Sequence, residues 1–325
     1  MNHPTFIDVL RARRTIAPYL RPTPLYSYAS LSQLIGCEVW VKHENHNPTG
    51  SFKVRGGVNL IANLSPEEKA RGVITASTGN HGQSVAYAAG LFGVRAVIAV
   101  PNGANPAKVD SIRNLGAEIR VVGKDFDDCR TYVEETAPRE GLRYISSGDE
   151  PLLIAGVGTY ALEILESLPE TEVVIVPVGG GSGASGVCLA AKTTNPQLQV
   201  IGVQAEAAPA AYLTWKERRR VEAPMETMAE GLATRRPFDL PQAILQRDLD
   251  DFVLVSEAEL RSATLLALEK TRNLAEAAGA ASLAAALKIR ERLQGKRVVL
   301  VLSGGNITLP QLKRVLDEQM APSGR

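Results

Sequence analysis

Residues Glu172–Gly183 read EVVIVPVGGGSG, a short apolar run that passes directly into a glycine-rich loop. The apolar run is rich in β-branched residues, which is typical of a strand covered on both faces. The loop precedes a small-residue helix that we predict over 184–192. Glycines let backbone N–H groups converge, and a helix N-terminus favours a bound anion. The stretch therefore predicts a buried strand that ends in a phosphate-binding loop, with a plain tight turn as the alternative.

Six other segments of strand length lie on either side of this stretch. They alternate with amphipathic segments, and this alternation is typical of right-handed βαβ units. The sequence therefore predicts an α/β fold with open, mostly parallel sheets and helices on both faces. The predicted strands are Glu38–Lys42, Val73–Ala76, Arg95–Val100, Glu118–Val122, Gln199–Gln204 and Arg297–Ser303.

Loops rich in Gly, Ser and Asn follow four of the predicted strands. Their sequences are HENHNPTGSFKVRGG (43–57), STGNHG (77–82), GGGSGASG (179–186) and SGGN (303–306). A plain turn between a strand and a helix needs only one glycine or one capping residue. In open parallel sheets the carboxyl ends of the strands form the ligand crevice. We therefore expect the four loops to meet around a ligand.

Lys53 lies within the first of these loops, at a predicted helix start capped by Ser51 or Thr49. A helix N-terminus, the nearby Arg55 and shielding by Phe52 should all make the lysine amine easier to deprotonate. A neutral amine is what a Schiff-base lysine requires. A solvated surface charge is the alternative for any single lysine, and only the surrounding motif argues against it here.

The 325 residues carry a net charge of +1 and are 45% hydrophobic. This balance lacks the Lys and Arg excess with which proteins bind nucleic acids or anionic membranes, so we expect a small-molecule ligand. No apolar segment approaches the roughly 18 residues of a membrane span, and the N-terminus lacks a secretory signal. Cys37, Cys129 and Cys188 are far apart and predict buried free thiols. These features predict a cytoplasmic protein with one large or two joined domains.

Four motifs, in this order, resemble those of the serine/threonine dehydratase and serine racemase family: PTGSFKVRGG, ASTGNHG, VPVGGGSG and LSGGN. These are pyridoxal-phosphate enzymes of the tryptophan-synthase-β fold type, or fold type II, and the resemblance runs from Ile16 to Leu312. It implies a large cofactor-binding domain of residues 1–70 and 149–325, a small mobile domain of residues 71–148, and a homodimer. We expect no regulatory domain, because the chain ends soon after a helix predicted near Leu309.

The resemblance also implies a role for each residue of the motifs. Lys53 would hold pyridoxal phosphate as a Schiff base, and Phe52 would pack beside the cofactor ring. Ser303 falls where the family meets the pyridine nitrogen, and a hydroxyl there suits β-elimination because it does not force the nitrogen to stay protonated. The other implied cofactor contacts are Asn80, at the phenolic oxygen, and Gly179, Gly180, Gly181, Ser182 and Gly183, at the phosphate. The implied substrate contacts are Ser77, Thr78, Gly79, Asn80 and His81, with Glu276 near the ring or the substrate and His81 alternatively a packed structural residue.

Three positions depart from the family pattern. Thr78 keeps a hydroxyl where serine racemases carry a serine, so racemisation stays open, although the added methyl group crowds that face. Tyr212 replaces the Asp of the family's divalent-cation site, so Glu206 and the Ala210 carbonyl offer at most a weak site, and Glu206 is expected to pair with a base. The segment AEAAGA (275–280) has more small residues than the family pattern, which leaves room for a bulky β-substituent.

The resemblance implies a pyridoxal-phosphate dehydratase that converts an L-3-hydroxy amino acid to a 2-oxo acid and ammonia by β-elimination. Lys53 would take the Cα proton, and Thr78 or the cofactor phosphate would protonate the leaving hydroxyl. Threonine or serine is the expected substrate, with a bulkier aryl-serine as an alternative. A racemase, a β-replacement synthase and a non-catalytic ligand binder are the alternative functions. The loop ASTGNHG resembles dehydratases more than the Thr-Ser-Gly-Asn-Thr of the synthases, and a binder leaves the joint presence of Lys53, Asn80 and Ser303 unexplained.

Overall fold

The computed structural model describes residues 3–77 and 79–320, apart from the side chains of the last two. Within these residues the chain forms two sheets with helices packed against them. The strands are β1 (Leu25–Ser27), β2 (Glu38–His43), β3 (Val73–Ala76), β4 (Ala96–Val100), β5 (Glu118–Val121), β6 (Arg143–Tyr144), β7 (Val173–Pro177), β8 (Gln199–Ala205), β9 (Asp251–Val255) and β10 (Arg297–Leu302).

The helices of the described residues connect these strands, together with two short 3₁₀ turns at Glu44–His46 and Glu230–Leu232. They are α1 (Phe6–Ile16), α2 (Ala29–Ile35), α3 (Lys53–Ala62), α4 (Pro66–Arg71), α5 (Asn80–Phe92), α6 (Pro106–Asn114), α7 (Phe126–Glu140), α8 (Pro151–Val157), α9 (Thr159–Ser167), α10 (Ser182–Thr194), α11 (Ala210–Glu217), α12 (Asp239–Asp248), α13 (Glu257–Thr271), α14 (Ala277–Lys288), α15 (Arg290–Leu293) and α16 (Leu309–Met320).

The larger sheet has the strand order β1-β2-β10-β7-β8-β9, and every pair is parallel except β1 with β2. Alternate residues of its central strand β7 enter different cores. Val173 and Ile175 pack on the side of α14, whereas Val174 and Val176 pack on the side of α10. This covering of both faces explains why the strand is a continuous apolar run.

The smaller sheet has the order β5-β4-β3-β6 and is parallel throughout. Helix α5 packs against β4, and α7 packs against β3, β4 and β6. Helix α3, which follows β2 of the larger sheet, makes extensive contact with α5. Because α5 directly follows β3, the carboxyl end of β3 lies close to the start of α3. The two sheets match the predicted α/β class. The division into domains at residues 70/71 and 148/149 stays a prediction.

All seven predicted strands are present, and each observed end lies within one residue of the prediction. Three strands were not predicted. β1 and β6 have three and two residues, which is too short for a recognisable alternation. β9 has five residues, four of them apolar, and a run of this length does not distinguish a strand from a buried helix by its period.

The predicted cap of α3 and the predicted start of α10 need correction. The prediction that Ser51 or Thr49 caps α3 is wrong, because the helix begins at Lys53 after Phe52, whose side chain makes no capping hydrogen bond. Ser51 instead forms an isolated β-bridge with Gly304, and its buried hydroxyl makes no hydrogen bond within the described residues. Helix α10 runs over 182–194 and so begins two residues before the predicted start, because Gly181 adopts a left-handed φ of 92°.

Cys37, Cys129 and Cys188 are buried free thiols, as predicted. Each side chain packs in a hydrophobic core, and burial raises the pKa of the Cys37 thiol to about 11. Thiols held in the protonated form are poor nucleophiles. Among residues 3–77 and 79–320, no helix combines the length and the apolar character that a bilayer crossing needs.

Candidate active site

The loops after β2 and β10 are joined by backbone hydrogen bonds. Phe52 N donates to Ser303 O at 3.1 Å, and Gly305 N donates to Gly50 O at 2.9 Å. Gly50 has a left-handed φ of 67°, which permits the turn that carries the chain from Pro48 into α3. These hydrogen bonds between the two loops therefore fix the position of the backbone at Lys53.

Lys53 points its amine at the glycine-rich loop after β7. Its Nζ donates to Ser182 Oγ at 2.9 Å and lies 5.1 Å from the centre of the Phe52 ring. Burial lowers the pKa of the Lys53 amine from 10.5 to about 8. At pH 7 about a tenth of the amine is therefore neutral, far more than for a solvated lysine, and the neutral amine is the form that reacts with a carbonyl compound.

Arg55 does not contribute to this shift as the sequence suggested. Its guanidinium turns away from Lys53 and pairs with Glu44, Nε to Oε2 at 2.7 Å, and with Glu163, Nη1 to Oε1 at 2.6 Å. The positive charge of Arg55 is thereby compensated inside the protein. Residues two apart on a helix do not share a face, so proximity along the chain misled the prediction.

The glycines of the loop Gly179–Gly183 are closely packed and leave little room for side chains. A Cβ on Gly179 would lie 2.1 Å from the carbonyl oxygen of Gly231, and a Cβ on Gly183 would lie 3.1 Å from Phe52 Cε2. Ser182 begins the 13-residue helix α10, whose free N–H groups face this loop. The cradle, the helix N-terminus and the nearby Lys53 amine fit a ligand that combines a phosphate with an aldehyde.

Asn80 joins three of the loops. Its Nδ2 donates to Glu276 Oε1 at 2.6 Å, and its Oδ1 accepts from Asn306 Nδ2 at 2.7 Å. Asn306 also donates to Thr49 O at 2.8 Å. Burial raises the pKa of Glu276, so its carboxyl group tends toward the neutral form. The sequence singled out Asn80 and Glu276 but missed Asn306, although it ends the motif LSGGN.

The loop after β3 is held together by Ser77. Its Oγ accepts from Gly82 N at 2.9 Å and from Gly79 N at 3.2 Å. Gly79 has open space where a Cβ would point, so a ligand can approach its backbone. These are the features expected of a carboxylate-binding loop. Thr78, which the sequence also assigned to this loop, lies outside the described residues.

His81 is buried and contacts Thr75 on β3 of the smaller sheet. Thr75 Oγ1 donates to Ile145 O at 2.7 Å, so it accepts from His81 Nε2 at 2.9 Å, which places the proton on Nε2. Burial lowers the pKa of His81 to about 3, and the charge of Lys53 adds to this effect. His81 is therefore neutral and only 6% exposed, which supports the structural role that the sequence left open.

Ser303 ends β10 beside the Lys53 loop. It is 6% exposed, and its Oγ lies 3.5 Å from the Ala278 carbonyl oxygen, which is at the outer limit of a hydrogen bond. The hydroxyl therefore keeps most of its bonding capacity for a ligand. The position is compatible with the role at a pyridine nitrogen that the resemblance implies.

Of the two candidate ligands of the weak cation site, Glu206 and the Ala210 carbonyl, the Glu206 carboxylate is engaged in an ion pair. Glu206 pairs with Lys288 at 2.9 Å, which confirms the expected pairing with a base. Tyr212 packs edge-on against Phe252 with ring centres 5.6 Å apart. Within residues 3–77 and 79–320, no group of three His, Cys, Asp or Glu side chains is arranged to hold a metal ion.

A cavity of about 240 Å³ lies next to Glu276. Its wall includes Lys108 from α6 and Arg314 from α16, together with Glu230 and the small residues Ala277 and Ala278. The sequence did not identify Lys108, Glu230 or Arg314. They lie outside the four motifs, and only the packing of distant segments brings them together.

Comparisons with known proteins agree with this geometry. Residues 16–304 match the family described as "Pyridoxal-phosphate dependent enzyme". An L-threonine ammonia-lyase of Thermotoga maritima is 41% identical over 323 residues, which cover 99% of this chain and 80% of that protein.

Two solved structures have the same fold over nearly their whole length. The processed form of threonine deaminase isoform 2 from Solanum lycopersicum has a TM-score of 0.91 at 32% identity, covering 97% of this chain and 95% of that one. Maize serine racemase has a TM-score of 0.92 at 29% identity, covering 98% of each chain. With a lysine amine at a glycine cradle and a family match over most of its length, the chain belongs to the pyridoxal-phosphate dependent enzymes.

Proposed function

We propose that the chain is a dehydratase of 3-hydroxy amino acids, with L-threonine as the first expected substrate and L-serine as the second. Such an enzyme removes water across Cα and Cβ, and the enamine released takes up water to give a 2-oxo acid and ammonia. The contact that carries the proposal is the one between the Lys53 amine and Ser182, at the N-terminus of α10. The threonine ammonia-lyase at 41% identity supports the choice of reaction.

Pyridoxal phosphate supplies an electron-withdrawing ring that acidifies the Cα–H bond of a bound amino acid. Lys53 and Phe52 would hold its reactive end and ring, Gly179–Gly183 its phosphate, Asn80 its phenolic oxygen and Ser303 its pyridine nitrogen. The closely packed glycines of the loop and the partly unsatisfied hydroxyl of Ser303 fit this placement.

The side chains of the site have distinct tasks in the proposed reaction. Lys53, once displaced by the amine of the substrate, takes the Cα proton, because burial keeps a neutral amine available. The loop held by Ser77 would bind the substrate carboxylate beside Gly79, where the backbone faces open space. The Thr78 hydroxyl or the phosphate of the cofactor would give a proton to the leaving hydroxyl group, which departs as water.

Ammonia and 2-oxo acid formation test the proposal directly. The purified, cofactor-saturated protein should release both products from L-threonine, with L-serine turned over more slowly. Lys53→Ala should abolish turnover, whereas Lys313→Ala, on the exposed face of α16, should leave it unchanged. Absence of ammonia from every 3-hydroxy amino acid tested would contradict the proposal.

Racemisation is a second candidate activity, because Thr78 retains a hydroxyl at the position where the resemblance places a serine in racemases. The similarity to maize serine racemase supports including it. Formation of D-serine from L-serine, measured by chiral chromatography in parallel with ammonia, separates the two activities. We expect elimination to exceed racemisation, because the threonine methyl group crowds that face.

We also propose a homodimer with a small mobile domain of residues 71–148. The smaller sheet lies wholly within these residues, which supports the domain boundaries. The three buried free cysteines suit a reducing compartment such as the cytoplasm. Light scattering coupled to size-exclusion chromatography measures the oligomeric state, and a mass of one chain would contradict the homodimer.

A further inference from the structure

The phosphate loop, Gly179–Gly183, packs against the stretch 231–245, which the sequence did not assign to the site. A Cβ on Gly181 would lie 2.8 Å from Pro241 Cβ. A Cβ on Gly180 would lie 3.1 Å from Phe238 Cε2. Phe238 is the one aromatic residue of the stretch, and it is only 4% exposed. The ring of Phe238 is therefore part of the packing that supports the loop.

The same ring also contacts the part of the chain that builds the smaller sheet. A Cβ on Gly148, in the loop that follows β6, would lie 2.6 Å from Phe238 Cδ2, so the ring fills the space that a side chain would need there. The guanidinium carbon of Arg130, on α7, lies 5.2 Å from the centre of the ring, which is within the range of a cation–π contact. Phe238 thus joins the phosphate loop to α7 and to the loop after β6.

Hydrogen bonds hold the backbone on both sides of Phe238. Before it, Arg235 Nε donates to Asp127 Oδ2 on α7 at 2.7 Å. After it, Leu240 N donates to Asp149 Oδ1, in the loop after β6, at 2.9 Å. Close-packed interiors transmit displacements, because a buried side chain has no empty space into which it can move. A shift of α7 therefore displaces the ring, and a shift of the ring displaces the phosphate loop.

We propose that Phe238 is a positioning residue that couples the phosphate loop to α7. A loop held in place by the cofactor phosphate keeps Gly180 against the ring, and the ring in turn holds Arg130 and the helix that carries it. Such coupling is reciprocal, so a change that releases α7 also weakens binding of the phosphate. The proposal concerns the cofactor, and it holds whichever amino acid the enzyme turns over.

Two cofactors that differ in the phosphate test the proposal. Pyridoxal phosphate reaches both Lys53 and the phosphate loop, whereas 5′-deoxypyridoxal has the same ring and aldehyde but no phosphate. Phe238→Leu leaves a gap behind the loop, so it should raise the dissociation constant of pyridoxal phosphate about tenfold and that of 5′-deoxypyridoxal less than about twofold. Titration of the cofactor-free protein, followed by the visible absorbance band, measures both constants.

Two further variants separate the contact with α7 from a general loss of packing. Arg130→Met removes the cation from the ring and should raise the dissociation constant of pyridoxal phosphate about threefold, with no change for 5′-deoxypyridoxal. Phe92→Leu is the matched control, because Phe92 also has a cation over its ring, Lys69 Nζ at 5.7 Å, but lies edge-on to Tyr19 at the end of α5. This change should alter neither constant.

Hydrogen exchange of the α7 amides reports on the other end of the coupling. In the wild-type protein, saturation with pyridoxal phosphate should slow this exchange, whereas saturation with 5′-deoxypyridoxal should not. In Phe238→Leu saturated with pyridoxal phosphate, the slowing should be lost. A side chain that only supports the fold would change the exchange rate with and without the phosphate alike.

The outcomes decide the proposal in either direction. A phosphate-selective loss of affinity in Phe238→Leu, together with loss of the slowing in α7, supports it. Equal weakening of both cofactors in Phe238→Leu overturns it, as does slowing of α7 that is equal with both cofactors or undiminished in this variant. If Phe238→Leu does not fold, Arg130→Met decides, and affinities equal to those of the wild type overturn the proposal.

Discussion

At the scale of single residues, the reactivity of Lys53 depends on burial rather than on a neighbouring positive charge. The nearest cation in sequence, Arg55, is neutralised by Glu44 and Glu163. Ser182 accepts a hydrogen bond from the Lys53 amine without contributing a charge. Desolvation disfavours the ammonium form, and this effect accounts for the lowered pKa.

The first prediction concerns the pH dependence of cofactor capture by the cofactor-free protein. Only the neutral amine attacks an aldehyde, and the pKa of Lys53 is lowered from 10.5 to about 8. The capture rate should rise about tenfold per pH unit below pH 8 and level off above it. The measurement is the growth of the visible absorbance band after mixing with pyridoxal phosphate. A rate that keeps rising to pH 10, as for free N-acetyl-lysine, would contradict the account.

The second prediction concerns Gly304, which has no room for a side chain. A Cβ there would lie 2.4 Å from Glu276 Oε1 and 3.3 Å from Asn80 Nδ2. Gly304→Ala should therefore separate Glu276 from Asn80. Cofactor binding should weaken about tenfold, which corresponds to the free energy of one buried hydrogen bond. A titration of the cofactor absorbance gives the dissociation constant.

Gly90→Ala is the matched control, because the nearest atom to a Cβ at this position in α5 is Leu115 O at 3.6 Å. This change should leave cofactor affinity unchanged and stabilise the helix by about 0.5–1 kcal/mol. Equal cofactor affinity in Gly304→Ala and the wild type would show that the close packing at Gly304 is not required.

The sequence predicted which residues of the site come together better than it predicted how they interact. The loops that follow strands carry Lys53, Ser182 and Asn80. Parallel strands bring such loops together at the edge of the sheet formed by their carboxyl ends. The contact of Asn80 with Glu276 and Asn306 joins positions more than 190 residues apart in sequence. Side-chain direction decides such contacts, and no local pattern encodes it.

At the scale of elements, a buried network of charges fixes the helix that carries Lys53. Arg55 on α3 contacts Glu44 in a 3₁₀ turn and Glu163 on α9, and Glu163 also accepts from Lys42 on β2 at 2.5 Å. Arg55, Glu44 and Lys42 are each at most 1% exposed. Two positive and two negative charges compensate one another, as buried charges must. The network links β2, α3 and α9 directly behind the active site.

The third prediction is that Arg55→Leu destabilises the protein strongly. Removing one partner leaves the buried Glu44 carboxylate uncompensated, which typically costs about 3–5 kcal/mol in the free energy of unfolding. Arg11→Leu removes an exposed partner of Asp8 and should cost less than about 1 kcal/mol. Denaturant titration measures both. A similar loss in the two variants would contradict the role of the network.

Glu163→Gln provides a milder test of the same network. It keeps the shape of the side chain but removes one of the two negative charges, so it should destabilise the protein by less than Arg55→Leu. If Arg55→Leu yields no folded protein, the loss in Glu163→Gln relative to Arg11→Leu still decides the question.

Secondary structure was predicted well where a strand is long and buried on both faces. β7 and β10 are continuous apolar runs because helices cover both sides of the sheet. The short strands β1 and β6 owe their pairing to their neighbours, not to a pattern of their own. The predicted start of α3 at Lys53 is confirmed, but the predicted cap was wrong, because Ser51 pairs with Gly304 in a bridge instead of capping the helix.

At the scale of the whole molecule, polar contacts join the segment 71–148 to the rest of the chain. Arg235 Nε donates to Asp127 Oδ2 at 2.7 Å, and Lys108 pairs with Glu230 at 2.5 Å. The two partners that lie outside residues 71–148, Arg235 and Glu230, both belong to the stretch 222–238. If the small domain moves as we propose, these contacts hold it in the closed position over the substrate.

The fourth prediction is that Arg235→Gln weakens closure. Loss of this partly exposed pair should raise the substrate KM about threefold, in line with the usual strength of such pairs. Hydrogen exchange should also quicken in α7, which carries Asp127. Arg120→Gln is the control, because Arg120 pairs with Glu140 within the same segment. An equal effect of both changes on KM would contradict a role for Arg235 in closure.

The central claim is that Lys53 is the amine to which pyridoxal phosphate is bound. Borohydride reduction of the cofactor-saturated protein, followed by peptide mapping by mass spectrometry, tests this claim most directly. We predict that the added mass of the reduced cofactor appears on the peptide containing Lys53, and that Lys53→Arg shows neither this mass nor the visible absorbance band. A stable label on another lysine, or no label on the saturated wild-type protein, would contradict the account.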